Sequence, residues 1–444
     1  MSEKVIFWFR RDLRLADNAG LYAALKSGYP VIPLFIFDTN ILSKLEDKKD
    51  MRVDFILQAL LYLDKELQQY GSQLCIQYGD PKQVFNSLIV EHPIKAVYTN
   101  RDYEPYANER DTAVKSTLLQ KGINFLTFKD QVILEPGEVL KSDGKPYTVF
   151  TPYAKSWKNA LSELLLTSFP SEKILNYASN GLHKTVSDLS DLGFSSTGVE
   201  FTTPDINEQL IEKYHTTRDI PSLDGTTRLG VHIRFGTISI RQLVRIAFAT
   251  NETWLNELIW REFFMSIIFY FPRVVLQSFK PAYDFIEWRN NEEEFNRWCT
   301  GTTGYPIIDA GMRELFATGF MHNRVRMITA SFLTKHLLID WRWGEAWFAR
   351  LLLDYDLSAN NGNWQWAAGS GCDAAPYFRI FNPYEQTKKF DPMLSYIHKW
   401  IPELESDRYP MPIVEHSFAR KRALETYKLG LEQIKSTYNE QFEP

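Results

Sequence analysis

Five short apolar runs alternate with segments of helical periodicity over residues 1–128, and this restricts the fold more tightly than any other feature of the chain. The runs are residues 5–9, 31–37, 74–78, 96–98 and 124–128. Compact apolar stretches of that length read as strands buried on both faces. Between them, 18–27, 53–70, 81–91 and 106–120 carry helical spacing, and Gly28, Gly71 and Gly122 stand where three of these segments stop. Glycine is the residue that most readily takes the left-handed conformation closing a helix. Strand–helix alternation of this kind predicts an α/β domain, a mostly parallel, doubly wound sheet with helices on both faces. No GxGxxG follows the first strand and no GxxxxGK[ST] loop occurs, so neither a dinucleotide fingerprint nor a phosphate loop is supported here.

The pattern changes twice further on. Residues 131–204 are richer in Ser, Pro and Gly, with short helical patches such as 156–166, and read as a long connector. From 205 onward helical periodicity dominates, at 207–214, 239–249, 253–270, 292–300, 305–318, 323–338, 344–352 and 418–436. The expected organisation is an α/β domain over 1–130, a connector over 131–204 and an all-α domain over 205–444, and 444 residues suit more than one domain.

Composition excludes several classes. A net charge of -5 argues against a protein covered in positive charge, although a local basic stripe suffices to contact phosphates. The three cysteines, Cys75, Cys299 and Cys372, lie far apart with no CxxC. Together with the lack of HExxH, that predicts no metal site, and the sparse cysteines fit a reducing, cytoplasmic setting. No signal-peptide pattern opens the chain, and the most apolar run, 263–271, is too short to span a bilayer. Ser370 lies in Gly-Ser-Gly, which is not the GxSxG of a nucleophile elbow. The aromatic content, 14% with 12 Trp, fits either large aromatic cores or a protein that stacks on rings and passes electrons between them.

Five stretches concentrate candidate chemistry. Residues 354–383 set carboxylates, amides, small residues and paired tryptophans side by side, and buried polar groups of this kind need partners. A polar run between rigid aromatics suggests a large bound organic molecule. Arg10 to Asn18 sit where the first strand ends, a ligand edge in open α/β sheets or a charged turn with local ion pairs. Thr226 and Thr227 precede a helical stretch, as phosphate-binding hydroxyls or as plain caps. Glu257, Trp260, Arg261 and Phe264 share one helical face, which reads as a polar pocket with an aromatic wall or as a surface Glu–Arg pair. Asn323, Arg324, Arg326 and Met327 open an apolar helix, and a buried Arg326 needs a carboxylate, for which Asp354 and Asp356 are candidates.

Taken together these residues resemble the photolyase/cryptochrome flavoproteins, most nearly the class I photolyases that act on cyclobutane pyrimidine dimers. The motifs are residues 8–14 (WFRRDLR), 255–262 (LNELIWRE), 304–306 (GYP), 321–324 (MHNR) and the 354–383 stretch. The resemblance implies an N-terminal α/β antenna-binding domain and a helical domain holding FAD. It implies an FAD shell of Tyr214, Thr226, Thr227, Arg228, Leu229, Gly230, Trp254, Arg261, Asn323, Arg326, Asp354, Tyr355, Asp356 and Asn360, with the Asn360 amide facing flavin N5. Gly230 and Phe320 depart from the Ser and Trp common there. Substrate contacts carry over to Arg218, Glu257, Trp260, Arg261, Phe264, Asn323, Arg324, Met327, Trp366 and Gln386. Trp260 and Trp366 would stack on a dimer flipped out of UV-damaged DNA, and Glu257 would stabilise charge on it.

The implied activity is a carbon–carbon lyase, deoxyribodipyrimidine photo-lyase: excited reduced FAD gives an electron to the dimer, the ring splits and the electron returns. Trp364, Trp341 and Trp288 align with a chain carrying electrons to oxidised flavin, or are three packing tryptophans. Asn108 and Glu109 match positions that bind a folate antenna in some members, while others use a deazaflavin or a flavin, or none. A monomer is expected. The competing reading is a cryptochrome-type blue-light receptor, against which Asn360 stands where plant receptors carry Asp. Repair of (6-4) photoproducts is disfavoured because Asn323 and Met327 replace a His pair, and a DASH-type relative stays open.

Overall fold

A computed structural model describes residues 3–179 and 185–441. The described chain forms two compact units, each assembled from three separate segments. The first comprises residues 1–139, 157–207 and 228–250; the second comprises 140–156, 208–227 and 251–444. The connector is thus divided, with 140–156 joining the helical unit, and the 228–250 stretch belongs with the α/β unit.

In the first unit, β1 (Lys4–Phe9), β2 (Val31–Asp38), β3 (Cys75–Gly79), β4 (Ile94–Asn100) and β5 (Asn124–Phe128) form one parallel sheet in the order β3-β2-β1-β4-β5. The order reverses beside β1, as doubly wound folds require. β2 is buried along its whole length, which explains its unbroken apolar sequence. Pro33, opposite Phe7 of β1, precedes the stretch, starting at Leu34, that pairs with β3, so its missing N–H falls outside the β3 ladder. Apolar residues of the strands pack with Phe85, Leu88, Val114 and Leu118 from the crossover helices Pro81–Glu91 and Pro105–Leu119.

The stretch after β1 is an ion-pair lattice. Arg10 pairs with Asp111, Arg11 with Glu104 at 2.8 Å and Arg14 with Asp130 at 2.7 Å. Arg241 joins Asp17 at 2.9 Å and Asp130 at 2.8 Å, and Asn18 caps helix Ala19–Leu25. Of the two readings of this segment, the charged turn is the one its contacts describe. Burial pushes the Asp12 carboxyl up to about 6, against hydrogen bonds from the Arg10 backbone and Asn100.

The second unit is helical. Trp298, Phe332, Trp341, Phe348 and Trp364 anchor an extensive core in it. Helix Asn323–Ser331 continues into a π turn, Phe332–His336, where the periodicity alone predicts one helix to residue 338. Helices Leu357–Ala368, Pro383–Phe390 and Ser395–Trp400 are additional to the sequence-based expectation. No helix among the described residues is long and apolar enough to cross a membrane, and none of their His, Cys, Asp and Glu side chains form a metal-binding cluster.

Candidate functional site

Asn251 fixes the start of helix Glu252–Tyr270 by accepting from the amides of Thr253 and Trp254. That helix displays Glu257, Trp260 and Phe264 three and four residues apart. Glu257 pairs with Arg218, which follows helix Glu208–Thr217, at 2.5 Å, so its partner is a distant arginine and not the neighbouring Arg261 of the surface-pair reading. Asp219, beside Arg218, accepts from Arg324 at 2.8 Å, so Glu257, Arg218, Asp219 and Arg324 form an alternating series of charges. Burial raises the Glu257 carboxyl above its ordinary range, against the pull of Arg218. Burial and then Glu257 raise the Tyr214 phenol, over whose ring Arg218 lies 5.6 Å from the centroid.

Helix Leu357–Ala368 carries the second half of the site. Asp356 is its N-cap, accepting from the amide of Ala359 at 3.1 Å, and Gly369 ends it at φ 92°. Arg326 binds the Asp354 carboxylate at 2.9 Å and the Met321 carbonyl at 2.7 Å, so Asp354 rather than Asp356 is its counter-charge. Asn360 donates through Nδ2 to the Glu345 carbonyl at 3.0 Å and to Glu345 Oε1 at 2.9 Å. Both partners are acceptors, so the amide nitrogen must face them and Oδ1 is turned the other way. Burial pushes the Glu345 carboxyl up to about 6, with the Asn360 hydrogen bond opposing.

Gly362 lets this helix approach the Phe264 ring; a Cβ there would lie 2.1 Å from Phe264 Cδ1. Phe264, Gly362, Trp366 and Asp373 line a cleft that also receives Asn361. The buried Asn361 Nδ2 finds no acceptor among the described residues, nor does the buried Asn256 Oδ1 find a donor. An orphaned buried amide, that of Asn361, in a cleft with aromatic walls fits a bound organic group.

Trp364 and Trp341 are buried and Trp288 is half-buried. Trp364 meets Phe348 at 5.0 Å and Trp298 at 6.1 Å, both edge-on, and Trp288 meets Tyr427 at 5.8 Å. Trp298, Glu345 and Tyr427 were not singled out by sequence reasoning. The Glu345 signal was available in the WRWGEAW string, an acid between tryptophans on a helix.

Other expected residues divide. Met327 and Gln386 are half-buried and Asn323 is exposed. Trp254 is buried, and Arg261 and Tyr355 are half-buried. Thr226 and Thr227 lie in the second unit, whereas Arg228, Leu229 and Gly230 lie in the first. Helix Gly230–Phe235 takes Leu229 as its N-cap, with no side-chain cap bond, so the threonines do not act as the caps that their spacing allowed. Arg228 adopts φ 51°, a left-handed conformation uncommon outside glycine. Asn108 and Glu109 are exposed on helix Pro105–Leu119.

Residues 5–173 match the family model described as DNA photolyase, and residues 254–407 match that described as the FAD binding domain of DNA photolyase. A deoxyribodipyrimidine photo-lyase of Synechococcus sp. is 36% identical, covering 99% of this chain and 97% of the relative. This chain belongs to the DNA photolyase family. Among solved structures of the family, a class III photolyase from Agrobacterium tumefaciens superposes with a TM-score of 0.86 at 33% identity, covering 97% of this chain and 98% of the other. An archaeal photolyase from Sulfolobus tokodaii, described with two FAD molecules and a novel light-harvesting cofactor, gives 0.79 at 33% identity over 96% and 100%. The FAD-binding model falls within the helical unit that holds Asn361 and its cleft.

Proposed function

We infer that the protein is a deoxyribodipyrimidine photo-lyase that repairs cyclobutane pyrimidine dimers in light, with FAD as its cofactor. The observation that carries this is likeness over almost the entire chain to photo-lyases of that name. When bound, FAD supplies the photochemistry, a light-driven electron for the lesion, and the protein supplies geometry and polarity.

In this reading Asn360 presents Oδ1 to the flavin, because Glu345 holds its nitrogen. Arg326, neutralised by Asp354, would help to hold the cofactor, and Tyr214, Thr226, Thr227, Trp254, Arg261, Asn323, Tyr355 and Asp356 would complete the part of the shell in the helical unit. Trp260 and Trp366 stack on the flipped-out dimer, and Glu257, held by Arg218 through Oε1 and with its carboxyl raised by burial, would donate to a base carbonyl in its protonated form. Arg324 contacts a flanking phosphate while Met327, Phe264 and Gln386 line the approach. Trp364, Trp341 and Trp288 would pass electrons inward, a role supported by two buried indoles and an outer one that is half-buried. Asn108 and Glu109 are the antenna contacts, and the protein acts as a monomer. The finer class I assignment is supported by motif resemblance alone, and the fold likeness to a class III enzyme weighs against it.

The test is direct. Reduced protein is incubated with duplex oligonucleotides carrying a cyclobutane dimer or a (6-4) photoproduct, in blue light and in darkness. Loss of cyclobutane dimers in light alone is expected; their persistence under illumination refutes the assignment.

A further inference from the structure

The Phe150 ring lies flat on Trp260, with centroids 3.6 Å apart and planes within 5°. Phe150 opens helix Phe150–Ala160, and residues 140–156 belong to the same unit as Trp260. Two further contacts hold the ring there. Phe263 meets both Phe150 and Trp260 edge-on, at 5.9 and 5.6 Å. The Phe150 amide donates to Asp373 Oδ2 at 2.8 Å, across 223 positions of sequence. Asp373 in turn lines the cleft that carries Trp366. One carboxylate therefore ties the segment stacked on the first indole to the wall that bears the second.

A half-buried tryptophan on a helix surface has several staggered side-chain orientations open to it. A parallel ring on one face, with Phe263 edge-on and Phe264 inclined by 30° at 5.3 Å, leaves it one. We propose that Phe150 is a positioning residue for lesion recognition: it fixes the plane of Trp260 before DNA arrives, and Asp373 registers that plane against Trp366. This rests on the reading that Trp260 stacks on the dimer. Fixing a recognition group in its bound orientation favours binding by reducing the ordering cost on association. The selectivity it confers is for the lesion, since undamaged duplex offers no flipped-out base to the indole.

The variants Phe150→Leu, which keeps apolar bulk without a ring, and Phe150→Tyr, which keeps the ring, separate stacking from packing. Affinity for dimer-containing and undamaged duplexes is measured for each, with Trp260→Ala alongside, and FAD content and photoreduction verify that each variant is folded. Phe150→Leu is expected to weaken lesion binding roughly three- to tenfold, the range of an aromatic pair converted to affinity, and to leave binding of undamaged DNA unchanged. Phe150→Tyr is expected to bind the lesion as the wild type does. Should Phe150→Leu fail to fold, Phe150→Tyr and Asp373→Ala carry the test, the latter being expected to lose lesion affinity selectively. Wild-type lesion affinity in Phe150→Leu or Asp373→Ala, or equal damage from Leu and Tyr, overturns the positioning role while a weakened Trp260→Ala preserves the site. Unchanged lesion affinity in Trp260→Ala overturns the placement of Trp260 itself, and this inference with it.

Discussion

Gly344→Ala opposes two effects of known sign. Gly344 lies inside helix Trp341–Leu351, where replacing glycine with alanine ordinarily stabilises by about 1 kcal/mol. Here the added Cβ would stand 2.1 Å from Trp364 Cη2 and 2.5 Å from both Trp364 Cζ3 and Leu333 Cδ2. Carbon–carbon contacts are favourable at about 3.5–4.0 Å, so the indole must retreat by roughly 1.4 Å or the helix must shift. Trp364 is 2% exposed and hemmed by Phe348 and Trp298, which leaves little room. Overpacking of this kind costs about 1–3 kcal/mol, with larger values where a rigid ring cannot move. The expected net is a loss of up to about 2 kcal/mol, read as a lower urea midpoint at unchanged slope. Displacing the Trp364 ring should also slow blue-light photoreduction of oxidised enzyme, while repair by chemically reduced enzyme survives. A variant more stable than wild type by the usual helix gain, with photoreduction intact, would refute the argument that glycine is required at 344 to seat Trp364.

Three further outcomes are expected. The raised Glu345 carboxyl, at about 6 against an ordinary 4.5, binds its proton more tightly when folded, so its contribution to stability falls as pH rises from about 4.5 to 6. The 1.5-unit difference corresponds to at most about 2 kcal/mol, reduced by partial exposure, and the stability difference between wild type and Glu345→Gln should change across that window; a difference independent of pH would refute it. Trp364→Phe should block photoreduction yet spare repair by chemically reduced enzyme, and unchanged photoreduction would remove Trp364 from the electron route. Asp130→Ala strips a shared partner from Arg14 and Arg241, whose side chains are 8% and 3% exposed, and should destabilise by about 3–5 kcal/mol in thermal or urea unfolding.

The sheet was legible because its inner strands β1 and β2 are buried almost throughout and so appear as continuous apolar runs, while the edge strands β3 and β5 are partly exposed and were marked by short apolar runs between helical segments; the structure moves each strand's ends by two residues at most. Helix Leu357–Ala368 escaped because it turns amides inward. Asn360, Asn361 and Gln365 are all buried, so its polar face is the inner one and the usual amphipathic pattern is absent. Its one local signal was Asp356 three residues before Ala359, a cap that is visible only once a helix is suspected. Phe150 escaped for another reason: it lies in a stretch whose Ser, Pro and Gly content reads as linker, and only tertiary contact with Trp260 gives it a role. The site residues came from motif resemblance. Residue types alone indicated a polar, aromatic pocket without dividing it between cofactor and lesion.

The noncontiguous make-up of the α/β unit bears on how the chain is made. Asp130 is fully enclosed in the finished protein, and one of its two guanidinium partners, Arg241, follows it by 111 residues. At roughly 5–20 residues per second of synthesis, Arg241 is translated about 6–22 s after Asp130. Until then the nascent sheet carries an acidic pair, Asp17 and Asp130, with Arg14 as its nearby countercharge and Arg241 still untranslated. The α/β unit therefore cannot complete its fold while its own sheet is emerging from the ribosome, and must wait for sequence beyond residue 241, by which point the first segments of the helical unit have already been translated.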